Sequence, residues 1–117
     1  VSAIEALERT SVSRGLQSLR GLSADIRTWL SESRGRGNCF DLVIVDPPRA
    51  GLGDSVRDVA MLARSDIAYC SCNPETLGRD LEHFMTEGFT VERVVVFDMF
   101  PQTHHVETLV WMGRFSR

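Results

Sequence analysis

The chain has 117 residues, 43% of them hydrophobic, and a formal net charge of −3. That is enough for one domain with its own core, and no apolar run approaches the ~20 residues needed to cross a bilayer. The mild acidity advertises no basic nucleic-acid stripe; all thirteen basic residues are Arg, a usage that reflects either coding bias or phosphate contacts.

Val1 to Ala6 has neither the charged start nor the long apolar core of a signal peptide. Residues 2–14 read as a helix with Ile4, Leu7 and Val12 towards one face and Gly15 as its C-cap. A short strand is expected over Ser18–Leu22, ending near Asp25. One or two helical turns from Ile26 to Leu30 follow, then a loop from Ser31 to Asn38 carrying Gly35 and Gly37. Phe40 to Asp46 is an apolar run with polar flanks, as in a parallel strand buried on both faces. Pro47–Gly53 must be a loop, and Asp54 suits the cap of a helix reaching about Arg64. Ile67–Ser71 reads as the next strand. Pro74–Glu87 reads as a helix with Leu77, Leu81, Phe84 and Met85 on its apolar face, ended by Gly88. A Val-rich strand over Thr90–Phe97, a loop over Met99–His105 and a last strand over Val106–Phe115 complete the chain. This alternation predicts an α/β doubly wound sheet. Ligands in such sheets collect beyond the carboxyl ends of the strands, where Asp46 and Cys72 should line one crevice.

Three segments carry chemistry. In Ser71-Cys72-Asn73-Pro74, Asn73 suits an N-cap and Pro74 the first helical turn. A thiol there feels the positive end of the helix dipole, which favours the nucleophilic thiolate; the plainer reading of Cys72 is a small packed hydrophobe. Asp46-Pro47-Pro48-Arg49 aims a carboxylate from a proline-stiffened loop, suited to accept hydrogen bonds from an adenosyl amine or a nucleobase. The stretch from Phe97 to Glu107 is dense in groups that donate, accept or stack. Glu107 suits a general base where burial raises its pKa, and His104 and His105 read either as proton shuttles or as surface polar groups. Three cysteines form no disulfide framework, and a reducing cytoplasm is the simplest setting. Cys39, Cys70, Cys72, His83, His104 and His105 would suit zinc by type, but their spacing lacks the turn that wraps it, so no metal is expected.

Taken together these segments resemble the RNA uracil-C5 methyltransferases, which use S-adenosylmethionine. That family carries a D-P-P-R-x-G-L loop, an S-C-N-P-x-T-L helix start and a D-x-F-P-x-T-x-H-x-E loop. They correspond here to Asp46–Leu52, Ser71–Leu77 and Asp98–Glu107, in the family's order and spacing. The resemblance implies that Cys72 is the nucleophile and Glu107 the base that removes the C5 proton. It places Asp25 near the cofactor's adenine and Asp46 between cofactor and target base. Pro47, Arg49, Asn73 and His105 are implied on the RNA substrate side. Arg79-Asp80 and Asp98 to Pro101 are closer to ribosomal than to transfer RNA members.

The chemistry explains the residue types. Uracil C5 is a weak nucleophile until a thiolate adds at C6; C5 then takes the methyl group, and a base must remove the C5 proton before the cysteine leaves. The base must also leave its stack to reach such a pocket. Enzymes that methylate exocyclic amines have a similar acidic or Asn-Pro-Pro loop, but Arg49 stands where they carry an aromatic and they need no cysteine. A non-catalytic α/β interaction module with a decayed site is the reading from another class; retention of both Cys72 and Glu107 speaks for the enzyme.

The resemblance leads one to expect a strand with a Gly-rich cofactor loop, a second strand, an RNA-binding domain and iron–sulfur cysteines, none of which these 117 residues match. The chain is therefore expected to be the C-terminal part of a class I methyltransferase catalytic domain over residues 1–117, a partial Rossmann-like sheet without its first two strands, weak or inactive alone. The strand at Leu42–Asp46 would be left as an apolar edge, pairing either with the short strand near Leu19–Leu22 or with another copy.

Overall fold

In a computed structural model, which describes residues 2–98, 102 and 106–115, the apolar runs form one four-stranded sheet with helices packed on one face. Helix α1 (Ala3–Ser13) begins at a capping box: the Glu5 amide donates to Ser2 Oγ (3.1 Å) and the Ser2 amide to Glu5 Oε2 (3.2 Å). Gly15, at φ +69°, follows its C-cap. Only Ser11 of this helix is buried, so α1 is peripheral to the core.

The expected strand at Ser18–Leu22 does not form. This stretch is turn and irregular chain, and its pairing with Leu42–Asp46 does not occur. A strand needs a neighbour to satisfy its amides and carbonyls. Here the segment lies against α1 instead: a Cβ on Gly21 would stand 3.2 Å from both Ile4 and Leu7 side chains.

Helix α2 (Ile26–Gly35) runs longer than the expected one or two turns. Leu30 and Ser33 are buried, and Arg34 reaches Asp58 at 3.1 Å. Tertiary contacts with the next helix therefore carry it past the polar stretch that reads as loop. Strand β1 (Phe40–Val45) follows, then a loop, a 3₁₀ turn (Gly53–Ser55) and helix α3 (Val56–Leu62). Asp54 lies inside the 3₁₀ turn and does not cap α3. The chain passes directly into strand β2 (Ala63–Ser71), four residues earlier than its apolar run suggests. Arg114 accounts for this. Its Nη2 donates to the carbonyls of Ala60 and Ala63 at 2.7 Å each, taking up acceptors at the end of α3. Helix α4 (Pro74–Thr86), strand β3 (Phe89–Phe97) and strand β4 (Glu107–Arg114) keep close to expectation.

The strand order is β1-β2-β4-β3, with β1 parallel to β2 and β4 antiparallel to both β2 and β3. Val43, Val45, Ile67, Tyr69, Val110 and Met112 share a face by register and belong to or pack on one core with Leu30, Val59, Leu77 and Phe84. Burying a side chain such as Phe84 contributes about 1.5–3 kcal/mol. On the other face Ile44 remains 66% exposed. Among the described residues β1 has a partner on one side only. No helix is long and apolar enough to cross a membrane among those residues.

Candidate active site

The topology gathers the segments of interest at one end of the sheet. β1 ends at Val45 opposite Tyr69, so Asp46 leaves the sheet level with Cys70. β2 ends at Ser71 opposite Thr108, so Cys72 leaves level with the start of antiparallel β4 at Glu107. Asp46 is exposed, while Cys72 and Glu107 are half-buried. Burial first, then the charges of Asp46 and Glu107, push the Cys70 thiol above the ordinary value.

Cys72 sits in a tightly bonded turn. The Ser71 hydroxyl donates to the Asn73 carbonyl and accepts from the Asn73 amide, both at 3.0 Å. Asn73 caps α4 as its sequence suggests, accepting from the Glu75 amide at 3.2 Å, with Pro74 opening the helix. Its Nδ2 donates to the Arg49 carbonyl at 3.0 Å, so the cap also ties α4 to the loop after Asp46. Thr76 Oγ1 donates to that same carbonyl at 2.8 Å, and Arg79 Nη2 to the Ala50 carbonyl at 2.7 Å.

Asp80 completes the attachment and is fully buried. Its carboxylate accepts from the Leu52 amide (2.7 Å), the Gly53 amide (3.2 Å) and the Tyr69 hydroxyl, and pairs with Arg79 at 3.2 Å. Burial, then the hydrogen bond to Asp80 and its charge, push the Tyr69 phenol far above its usual range, keeping it a donor. Tyr69 goes unnoticed in the sequence, and Ser71, Thr76 and Asp80, although they fall in or beside the motifs, carry no site-building role there. One signal was available for Asp80: an acidic residue three after Leu77 and four before Phe84 stands on the buried stripe of α4.

Pro47, Pro48, Ala50, Gly51 and Leu52 wall an open cleft of roughly 710 Å³ that runs from Asp46 past β1 to Ile26 and Arg27 at the start of α2. Asp25 caps that helix, accepting from the Thr28 amide (3.0 Å) and hydroxyl (3.1 Å). These two bonds hold its carboxyl below the usual range. Arg49 is exposed within the loop. His105, with His104, lies outside the described residues. Cys39 stands before β1, at the end of the strand opposite Asp46, against Arg64 at 3.1 Å. No metal-binding cluster occurs among the described residues.

Comparison with known proteins fits this geometry. The chain is 36% identical over 106 residues to the 23S rRNA (uracil(1939)-C(5))-methyltransferase RlmD of Pseudomonas fluorescens, covering 91% of this chain and 23% of that protein. It is 38% identical over 115 residues to the 23S rRNA (uracil(747)-C(5))-methyltransferase RlmC of Shewanella loihica, covering 97% and 30%. An uncharacterized RNA methyltransferase of Thermotoga maritima is 37% identical, covering 98% and 26%. The chain thus spans about a quarter of the length of these curated relatives. Among solved structures, that of M1.HpyAVI superposes with a TM-score of 0.65 at 16% identity, covering 80% of this chain and 53% of that one. A putative methyltransferase from Thermoplasma acidophilum gives 0.52 at 15%, covering 68% and 40%. The sheet is therefore part of a Rossmann-like methyltransferase fold. Residues 28–115 match the family described as tRNA (Uracil-5-)-methyltransferase, and the chain belongs to that family.

Proposed function

We propose that this chain is the C-terminal part of the catalytic domain of a cytoplasmic enzyme that transfers a methyl group from S-adenosylmethionine to C5 of a uridine in RNA, ribosomal rather than transfer RNA. One observation carries the proposal: Asp46, Cys72 and Glu107, far apart in sequence, leave the same end of one sheet. The names of the RlmD and RlmC relatives supply the substrate class and favour ribosomal RNA. The cleft between Asp46 and α2 suits an adenosyl group, with apolar walls from Ile26, Trp29, Leu42 and Val45, Asp46 in its lining, and Asp25 capping the helix whose first residues line the other end. Asp25 and Asp46 would hold the cofactor there, and when bound it supplies an electrophilic methyl on a sulfonium.

The chain's own residues do the rest. The Cys72 thiolate forms a bond to C6 of the uracil, and the displaced ring electrons make C5 the nucleophile. C5 would then take the methyl group, its new bond replacing the one between methyl and the cofactor's sulfonium. Glu107 then takes the C5 proton, the C5–C6 double bond re-forms and the Cys72–C6 bond breaks, returning the thiolate. Pro47, Arg49 and His105 belong to the substrate side of this reading. Asn73 acts through position, since both ends of its amide are bonded to the protein. Fluorine at C5 cannot be removed by a base. RNA carrying 5-fluorouridine should therefore stall the whole protein as a covalent complex that Cys72→Ala cannot form.

A second reading concerns partners. Among the described residues no strand pairs with the outer edge of β1, and an edge of that kind favours association between copies of the isolated chain.

A further inference from the structure

We infer that Asp80 is a positioning residue for the methyl transfer, acting through the loop that carries Asp46. The inference rests on the function proposed above and adds a residue which neither the motifs nor the relatives' names assign.

A fully buried carboxylate is costly unless its oxygens are well bonded. Asp80 has four partners, and two of them are backbone amides of the Asp46 loop's far end, Leu52 and Gly53. The other two, Tyr69 and Arg79, come from β2 and α4. Arg79 reaches past Asp80 to the Ala50 carbonyl, and Thr76 and Asn73 hold the Arg49 carbonyl. The loop is thus stitched to α4 from Arg49 to Gly53, while its start is stiffened by Pro47 and Pro48. Cys72 is attached to the first turn of the same helix through Ser71 and Asn73. Asp46 and Cys72 therefore share one frame whose innermost fastening is Asp80. Gly51 shows how close the fit is: at φ +77°, a Cβ there would lie 2.6 Å from Asp80 Oδ2.

Reactions that depend on two groups meeting at one base are sensitive to small displacements of either. Loss of the Asp80 carboxylate should therefore act by misplacing Asp46. Asp80→Asn keeps the shape but turns an N–H donor towards groups that themselves donate.

The test is a double-mutant cycle on kcat/KM for methyl transfer to RNA in the whole protein, with Asp46→Ala, Asp80→Asn and the pair, each checked for folding by thermal melting. Asp80→Asn should lower kcat/KM about tenfold, and the pair should be no worse than Asp46→Ala alone to within about twofold, because the two act as one unit. Losses that multiply, or no loss from Asp80→Asn, would overturn the inference. Where Asp80→Asn does not fold, Tyr69→Phe takes its place in the cycle: it deletes one donor to Asp80 and keeps the ring against Phe84. The same non-additivity with Asp46→Ala is then expected, and multiplied losses again overturn it. A wild-type protein that moves no methyl group to RNA would instead bring down the function itself, and this role with it.

Discussion

Cys70 and Cys72 stand two residues apart, yet their surroundings divide their chemistry. Cys70 is inside β2, opposite Leu109, with its thiol pushed up by burial and by Asp46 and Glu107. A raised thiol pKa means less thiolate and slower alkylation at mildly alkaline pH. Removing a neighbouring negative charge lowers that pKa. Asp46→Asn or Glu107→Gln should therefore speed iodoacetamide labelling of Cys70 near pH 8, followed by peptide mapping of the whole protein. Unchanged labelling in both variants would mean that the two carboxylates do not face this end of the sheet. The sign carries into stability as well: the folded protein holds the Cys70 proton more tightly than the unfolded chain. That advantage is intact below the ordinary thiol value and is lost as pH rises through the raised one. At this scale the sequence was readable where a residue stands at the end or start of a strand or helix. Asp46, Cys72, Asn73 and Glu107 stand at such junctions. Asp80 and Tyr69 do not: what gives them meaning is a contact with amides or side chains on other elements.

The unit that matters among the elements is the Asp46–Gly53 loop with the first two turns of α4. Gly51→Ala should destabilise the protein by about 1–2 kcal/mol from the left-handed backbone alone, with a further loss from the contact with Asp80. Urea unfolding would measure it, and an unchanged midpoint would contradict the account of how this loop is held. Helix and strand identities were largely legible because apolar periodicity decides them. Boundaries failed where a distant side chain sets them. Arg114 lies over the Phe89 ring at 4.4 Å and bonds the last carbonyls of α3, so the α3–β2 junction depends on a residue near the far end of the chain. The absent strand at Ser18–Leu22 failed because a tertiary contact decides it: the segment lies against Ile4 and Leu7 of α1 rather than along the free edge of β1.

At the scale of the molecule, the described residues form a sheet with helices on one face and β1 at an edge, within a Rossmann-like fold. Edge strands associate unless blocked, and a charge on β1 is the simplest block. The 117-residue chain alone should sediment as a dimer or larger species, and Ile44→Lys should shift it towards monomer. A monomeric parent chain would refute the association. The central claim is that this end of the sheet attacks uracil through Cys72. Its most direct measurement is mass spectrometry of the whole protein trapped on 5-fluorouridine RNA in the presence of S-adenosylmethionine. The predicted result is a nucleotide adduct on the peptide containing Cys72, with Cys70 unmodified, absent in Cys72→Ala. No adduct with the parent protein, or one that survives Cys72→Ala, would contradict it.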